Sequence, residues 1–440
     1  MKIIEPRLPK GFRDYMPEEE AARQKMFEII RSVFERFGFL PLDTPAIEHK
    51  DTLTGDDSGF DMHIFTAGIN DNKEKLALRF DLTVPLARVV AEHQNEIQKP
   101  FKRYQIGKVW RGENPQAGRY REFVQCDGDI VGTSSIIADA EIISLIYEML
   151  KALGITNFLI RINNRKLLNA LVTYVGFSEK QLPAVLRIID KLDKQGWGSV
   201  QKELKEDVSF SEAQIEKVKK FLEIKSLNKE EALDIINAML GKESDEGVIE
   251  LRDCRRYLEV FGVPKDAWEF DFSIARGLGY YTGIVFESIL KDLPELGSVM
   301  SGGRYDNLVS RFSSQTIPAT GVSLGIDRLF AGLKKLGYLD TQKSLSKILI
   351  LNFDEDSEDA CIKALQKIRK ENISAEIYLG NERAMKGQLA YALKREIPFV
   401  LIIGSDERKK GIAQFKDLQE RTQKEIKLSS IGKDIKKHLK

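Results

Sequence analysis

The stretch from Phe101 to Asp129 concentrates side chains that could act on a charged substrate, with Arg111 at the start of a polar turn between two alternating segments. The alternation and the turn residues predict a long β-hairpin. Gln125 and Asp129 should lie on the same face of its second strand, because side chains alternate along a strand. The guanidinium of Arg111 is planar and permanently charged, which suits a phosphoryl centre that gains charge as it is attacked. A charged hairpin tip is by itself most often a solvated turn, so the chemical interpretation depends on other segments.

A second polar pair interrupts an apolar element. Residues 77–90, ALRFDLTVPLARVV, predict a strand that changes to a helix at Pro85, and Asp81 and Thr83 alternate onto one face of it. Buried polar groups are unfavourable without partners, so this face should meet a cationic or hydrogen-bonding group. Thr83 is also close enough to Pro85 to be a helix N-cap, and the two interpretations are compatible.

Arginine, glycine and tyrosine are combined in residues 271–288, DFSIARGLGYYTGIVFES. The pair Tyr280 and Tyr281 could be only a cross-strand packing feature, which is the default for tyrosines in a strand. The Arg-Gly-Leu that begins at Arg276 favours a site instead.

Glycines mark two later segments, and in the first of them they predict close approach of the backbone to a ligand. Gly302 and Gly303 precede Tyr305 in SGGRYDNLVSRF, and Gly325 precedes a predicted helix that carries Arg328. Arg328 alone could be a cation on a helix surface, and its register with the glycines favours a site.

In chain order these segments resemble the class II aminoacyl-tRNA synthetases, and among them the histidyl-tRNA synthetases. The hairpin resembles motif 2 through Arg-Gly-Glu and PQ-x-GRYREF-x-Q-x-D-x-D. GFLPLDTPAIEHKDTL resembles motif 1, PATGVSLGIDRLFAGL resembles motif 3, and RGLGYYTG resembles the peptide specific to the histidine enzymes. The resemblance covers essentially the whole chain. The glycine patterns of dinucleotide-binding and P-loop proteins do not occur in the sequence, so a separate ATPase of those types is not supported.

The resemblance implies a role for each motif residue on the ATP side. Arg111 and Arg276 would contact the α-phosphate. Glu113 would contact the adenine, while Arg328 would stack on the adenine and meet the γ-phosphate. ATP would be a substrate, with Mg²⁺ on its outer phosphates and no metal centre built from protein ligands.

The resemblance also implies a histidine pocket. Its ammonium group would be held by Asp81, Thr83 and Gln125, and its two ring nitrogens by Asp129 and Tyr281. The implied histidine-binding set is completed by Arg276, Tyr280 and Tyr305.

The reaction implied by the resemblance has two steps. The carboxylate of histidine attacks the α-phosphorus of ATP to give histidyl-adenylate and pyrophosphate, and the acyl group then passes to the 3′ end of histidine tRNA. Such transfers need positioning and charge neutralisation more than covalent catalysis by the protein.

One position departs from the family pattern, which usually has Asp where this chain has Gly279. The departure keeps open a non-catalytic, synthetase-like regulatory protein that senses histidine or tRNA. Such relatives often lack the phosphate-binding arginines or the C-terminal domain, and both are present here. Another class II specificity would share Arg111 and Arg328 but should lack the RGL-x-YY peptide.

The resemblance and the element pattern together predict an α+β catalytic domain with a mostly antiparallel sheet at residues 1–333. A helical insertion at 166–261 should interrupt it, and its charge runs are expected to be solvated faces. A linker at 334–346 and an α/β anticodon-binding domain at 347–440 should follow, the latter from a βαβαβ alternation.

Composition places the chain among ordinary globular proteins. Of its 440 residues 42% are hydrophobic and 31% charged, and the formal net charge is +1. Residues 341–440 carry 21 Lys and Arg against 15 Asp and Glu, an excess compatible with RNA contact. Three scattered Cys and four His indicate neither a disulfide framework nor a zinc site. Without an apolar leader or a long apolar run, the protein is expected to be cytoplasmic and off the membrane, and the resemblance implies a homodimer.

Overall fold

A computed structural model of the chain describes residues 3–55, 64–68, 74–115, 119–224, 229–275, 280–339, 341 and 343–439. Two compact units are distinguished, one formed by Met1–Arg13 with Met26–Tyr338 and the other by Asp14–Lys25 with Leu339–Lys440. Among the described residues, none of the helices combines the length and the apolar character needed to cross a membrane.

The strands in chain order are β1 (Leu40–Pro41), β2 (Ile47–His49), β3 (Thr66–Ala67), β4 (Leu76–Leu78), β5 (Phe101–Trp110), β6 (Glu122–Val131), β7 (Phe158–Asn164), β8 (Trp268–Phe270), β9 (Ile284–Leu290), β10 (Ser298–Arg304), β11 (Ala319–Gly325), β12 (Ile348–Ile350), β13 (Ala375–Ile377), β14 (Phe399–Ile402), β15 (Ile412–Asp417) and β16 (Gln423–Lys427). The α-helices are α1 (Pro17–Arg36), α2 (Lys50–Thr54), α3 (Thr83–Glu92), α4 (Ile136–Ala152), α5 (Arg165–Leu171), α6 (Leu182–Ile189), α7 (Leu192–Glu206), α8 (Glu212–Leu222), α9 (Lys229–Leu240), α10 (Asp245–Val260), α11 (Ile326–Lys335), α12 (Glu355–Arg369), α13 (Met385–Lys394), α14 (Ser405–Lys410) and α15 (Ile431–His438).

The larger unit is built on an eight-stranded sheet in the order β1-β5-β6-β11-β10-β9-β7-β8. The pairs β1–β5 and β7–β8 are parallel, and every other neighbouring pair is antiparallel. The predicted class, an α+β domain on a mostly antiparallel sheet, is therefore confirmed. A small sheet in the order β2-β4-β3 accompanies it.

The predicted hairpin is confirmed as β5 and β6, which pair from Phe101↔Val131 to Trp110↔Glu122. One face of β6 packs on α1 so closely that a Cβ at Gly128 would lie 2.2 Å from a ring carbon of Phe34. The opposite face is left to carry polar side chains. This division fixes which residues of the hairpin can reach a ligand.

Helices α5 to α10 follow β7, and the described residues between β7 and β8 contain no strand. This agrees with the helical character predicted for 166–261. Amphipathic patterns account for the helices, as in α8, which buries Ile215, Val218 and Phe221 and begins at an N-cap serine, Ser211.

The smaller unit holds a five-stranded mixed sheet in the order β13-β12-β14-β15-β16, with apolar clusters on both faces. The predicted alternation is present, but three elements of this unit were not predicted. Residues 405–411 form α14 and its C-cap Gly411. The sequence analysis missed β16 and α15, because β16 buries only Ile426 and α15 buries chiefly Ile431 and Ile435, which is too little apolar surface for a clear pattern.

Candidate active site

A cavity of about 1020 Å³ opens on the polar face of the large sheet. Its walls come from the hairpin, the start of α3, the tyrosine pair, strands β9 to β11, the start of α11, and helices α6 and α7. The sequence-predicted residues that line it are Asp81, Thr83, Arg111, Glu113, Gln125, Tyr280, Tyr281, Gly302, Gly325 and Arg328. The volume is large enough for a nucleotide and an amino acid together.

Two arginines stand in the walls of this cavity. Arg111 follows β5, donates from Nε to the carbonyl oxygen of Phe80 at 3.1 Å, and has its guanidinium carbon 5.1 Å from the ring centre of Phe123. Arg328, in the first turn of α11, donates from Nη1 to the carbonyl oxygen of Ser298 at 2.8 Å. Both guanidinium groups are held by backbone acceptors, and each guanidinium carries five N–H donors of the kind that bind an anionic ligand.

A carboxylate bridge ties the motif that carries Arg328 to the hairpin. Asp327 accepts from the backbone N–H of Val124 at 2.8 Å through Oδ2 and from Nη2 of Arg13 at 2.9 Å through Oδ1. Arg13 also donates to the hydroxyl of Tyr120 at 3.0 Å. The start of α11 is thus fixed against the hairpin turn.

The expected N-cap role of Thr83 was wrong. Helix α3 begins at Thr83 with Leu82 as N-cap, and it is Asp81 whose Oδ1 accepts from the backbone N–H of Val84, at 3.1 Å. Thr83 is left in the cavity wall. Burial raises the pKa of Asp81, while Arg111 and Arg103 nearby oppose that rise.

Gln125 and Asp129 lie on the same face of β6, as the alternation predicts. Gln125 lines the cavity and donates from Nε2 to the hydroxyl of Ser323. Asp129 and Tyr305 are not among the lining residues. Asp129 is buried behind the wall, where Oδ2 meets Nη2 of Arg103 at 2.7 Å and Oδ1 accepts from the Tyr305 hydroxyl.

Two buried groups beside Asp129 were missed by the sequence analysis. Arg103 is fully buried, and it stands opposite Asp129 in the β5–β6 register, so the hairpin register was the signal that could have located it. Asp127 is on the same face between Gln125 and Asp129. Burial raises its pKa to about 7, with Arg103 opposing and Asp129 reinforcing the rise.

Tyr280 and Tyr281 form the aromatic part of the wall. Their ring centres are 4.7 Å apart, and Tyr280 meets the ring of Tyr305 edge-on at 6.0 Å. Burial raises the pKa of both hydroxyl groups, so they stay protonated and can donate hydrogen bonds. Arg276 and Gly279, predicted beside this pair, lie outside the described residues.

Gly302 and Gly303 were predicted because the backbone would approach a ligand closely there, and this reason was wrong. Gly302 does line the cavity, but a Cβ there would lie 2.0 Å from the carbonyl oxygen of Gly321. A Cβ at Gly303 would lie 2.5 Å from the carbonyl oxygen of Ile284. Close packing of β10 between its neighbouring strands, rather than approach of a ligand, is what requires these glycines.

The helical insertion also reaches the cavity, where Arg187 and Lys194 remain exposed, as predicted for its charged residues. Arg187, Asp190 and Lys194, from α6 and α7 and the residues between them, line the wall. The buried Arg161 holds this part in place, since Nη1 contacts Asp193 at 2.6 Å and Glu287 at 3.0 Å. The periodicity of a helix indicates which residues share a face, but it does not indicate which distant strands that face will contact.

Comparison with known proteins gives a consistent answer. The family model described as histidyl-tRNA synthetase matches residues 11–329, and the model of the anticodon binding domain matches residues 347–438. The chain belongs to the histidyl-tRNA synthetase family.

Relatives of this histidyl-tRNA synthetase family match over nearly the full chain. A histidine--tRNA ligase of Wolinella succinogenes is 42% identical over 95% of each chain, and one of Clostridium tetani is 41% identical over 99% of each. A crystal structure of histidyl-tRNA synthetase from Nostoc sp. PCC 7120 superposes with a TM-score of 0.88 at 33% identity, covering 99% of this chain and 100% of that one. The predicted family and fold are thereby confirmed.

Proposed function

We propose that the chain activates histidine with ATP to histidyl-adenylate and transfers the histidyl group to the 3′ end of histidine tRNA. The observation that carries the proposal is the single cavity in which the arginines of motifs 2 and 3 face the tyrosine pair and the start of α3. The proposed phosphate-binding end and the proposed amino-acid-binding end would thus share one cavity. That is the arrangement an adenylate-forming reaction requires.

At the phosphate end, Arg111 is proposed to contact the α-phosphate, where charge grows during attack. Arg276 is proposed to contact the same phosphate, from the family resemblance. Arg328 is proposed to stack on the adenine and meet the γ-phosphate, with Glu113 at the adenine. Fixed guanidinium groups stabilise a phosphoryl transition state without reorganising during the reaction.

Mg²⁺ would neutralise charge on the outer phosphates of ATP. It is usually held by one or two carboxylates together with phosphate oxygens and water. Among the described residues no group of three His, Cys, Asp or Glu could hold a metal ion alone. Glu287, in the cavity wall, is already paired with Arg161, so Mg²⁺ would be held mainly by the phosphate oxygens of ATP and by water.

At the other end, Asp81, Thr83 and Gln125 are proposed to hold the ammonium group. Tyr281, which keeps its proton, is proposed to donate to one ring nitrogen. Asp129 is proposed to pair with the other ring nitrogen, exchanging the Tyr305 hydroxyl for the ligand. An apolar amino acid would leave the Tyr281 hydroxyl without its acceptor and would offer Asp129 no partner in place of Tyr305, so such a pocket favours a side chain with two ring nitrogens.

The acceptor end of tRNA is proposed to enter between the hairpin turn and the insertion, where Arg119, Arg187 and Lys194 add positive charge to the cavity wall. Residues 347–440 are proposed to bind the anticodon. A catalytic domain at 1–333 interrupted by 166–261, a linker at 334–346, a homodimeric state and a cytoplasmic location complete the proposal.

Charging of total tRNA with labelled histidine tests the activity. We expect labelled histidine to be attached to a transcript of histidine tRNA and not to a transcript of a tRNA for another amino acid. A synthetase-like regulatory protein would bind histidine or tRNA without forming the aminoacyl ester, and that result would replace the proposed function.

A further inference from the structure

Tyr280 and Tyr281 line a second cavity in addition to the large one. Its volume is about 370 Å³. The remaining lining residues are Arg165, Asn169, Thr282, Asn307, Leu308 and Arg311. None of these side chains is acidic, and two are arginines.

Arg165 is only partly satisfied within the protein. Its Nε donates to Oδ1 of Asn169 at 3.0 Å. Its Nη1 is buried and has no hydrogen-bond partner in the described structure. A buried guanidinium nitrogen without an acceptor is costly, and such groups usually have a water or ion as partner. Burial also lowers the pKa of this guanidinium.

Arg311 supplies the second positive charge of the small cavity. It is exposed, and no hydrogen bond or ion pair engages its side chain in the part of the chain that the structure describes. Its Nη1 passes 3.6 Å from where a Cβ would stand at Gly55. The side chain therefore runs along the protein surface to the cavity, and among the described residues no carboxylate pairs with it.

The acidic side chains close to the lining residues Thr282 and Asn307 already have partners within the protein. Asp306 accepts from the hydroxyl of Thr282 at 2.6 Å and lies 3.5 Å from Nη1 of Arg304. Arg304 is itself paired with the buried Asp139. Arginines elsewhere in this region thus have acidic partners, whereas Arg165 and Arg311 face a cavity.

We propose that Arg165, Asn169 and Arg311 form a binding site for a phosphate-class oxyanion, distinct from the positions proposed for the phosphates of ATP. Guanidinium groups bind phosphate through paired N–H donors, and the amide N–H groups of Asn169 can add further hydrogen bonds. The cavity exceeds the size of one phosphate ion, so it also admits a phosphate attached to a small group.

The shared tyrosine wall couples this site to the large cavity. An oxyanion that restrains Tyr280 or Tyr281 changes the affinity for a ligand on the other cavity, and that ligand changes the affinity for the oxyanion by the same factor. This coupling to histidine rests on the proposed function, whereas the existence of the oxyanion site does not depend on that function.

Location is tested with the full-length protein in crystals soaked in selenate, a tetrahedral oxyanion that scatters anomalously. We expect an anomalous peak between the guanidinium groups of Arg165 and Arg311. Peaks confined to other arginines or to crystal contacts would mean adventitious ions only and would overturn the proposal.

Binding is tested by calorimetric titration with inorganic phosphate, pyrophosphate and adenosine monophosphate as separate arms. Arg311→Gln and Arg165→Gln should each weaken at least one of these ligands by about tenfold or more, as for loss of one charged hydrogen-bonding partner. The matched control is Arg256→Gln, an exposed arginine on α10 whose carboxylate contact is Asp253 at 3.4 Å. The arm affected identifies the source of the phosphate group, and isotherms that are equal in all variants would contradict the site.

Failure of this site and failure of the proposed function are distinguishable. If the protein binds neither selenate nor phosphate at this site, its activation of histidine can still be measured, so the two experiments can fail separately. Because Arg311 is exposed, Arg311→Gln should fold even if Arg165→Gln does not, and a normal thermal unfolding transition checks this.

Discussion

The hydroxyl of Tyr305 donates a hydrogen bond to Oδ1 of Asp129, while Arg103 contacts the other carboxylate oxygen at 2.7 Å. All three side chains are buried behind the wall of the large cavity. The residue proposed to recognise the imidazole is thus held, before any ligand arrives, by one side chain on β5 and by another that directly follows β10.

We expect Asp129→Asn to raise the KM for histidine by about tenfold or more while the KM for ATP stays unchanged, because one charged hydrogen bond is lost only at the amino-acid end. Steady-state kinetics of activation with each substrate varied measures both constants. Tyr305→Phe removes the hydroxyl that binds Asp129 and keeps the Asp129 carboxylate. Comparing the two variants separates the effect of Asp129 on the KM for histidine from the effect of Tyr305. Equal rises in both KM values for Asp129→Asn would indicate general disruption instead.

We expect Arg276→Ala to lower the rate of adenylate formation by on the order of a hundredfold or more, as for loss of one preorganised charge donor. Single-turnover measurement of adenylate isolates that step. Arg256→Ala, an exposed arginine on α10, is the matched control and should retain the full rate. An unchanged rate for Arg276→Ala would remove Arg276 from the mechanism.

Gly321→Ala should disturb the same carboxylate from the neighbouring strand. A Cβ at Gly321 would lie 1.9 Å from Oδ1 of Asp129, so either the carboxylate or β11 must move. We expect a loss of about 1–3 kcal/mol in the free energy of unfolding, typical of overpacking, together with weaker histidine binding. Denaturant unfolding measures the first. Gly198→Ala, on α7 with nothing within 4 Å of the added carbon, should be neutral or slightly stabilising.

The pH dependence of stability should carry a signature of Asp127. Burial raises its pKa from 3.8 to about 7, so the folded state binds this proton more tightly than the unfolded state. The stability contribution of Asp127 therefore falls as pH rises from about 4 through about 7. Between about pH 4.5 and about pH 8 the wild-type protein should lose roughly 1–4 kcal/mol more than Asp127→Asn.

This comparison cancels other titrating groups, such as Asp139, because they are common to both proteins. Unfolding free energies of the two proteins across that range provide the measurement. Parallel pH profiles would contradict the raised pKa, because they would show that Asp127 binds its proton equally well in the folded and unfolded states.

The elements that the sequence predicted well are those whose signal is local. The hairpin from Phe101 onward shows period-two alternation around a turn, so its type and approximate bounds are correct. The weakly patterned β16 and α15 were missed, because each buries few residues.

What the sequence could not supply were relationships across the sheet. Ser323 meets Gln125 only through the pairing of β11 with β6. Arg187 reaches the cavity through packing of the insertion, which no local period encodes. Thr83 was assigned a cap that Asp81 provides, because several nearby side chains can satisfy the same backbone N–H and only the backbone path decides between them.

The central claim, that one cavity joins histidine to ATP, is tested most directly by exchange of labelled pyrophosphate into ATP with each amino acid in turn. We expect exchange that depends on histidine and on Mg²⁺ and that is absent with every other amino acid. This result would also show that Gly279 is compatible with turnover. Absence of exchange from folded protein that still binds histidine or tRNA would contradict the claim and favour a regulatory role.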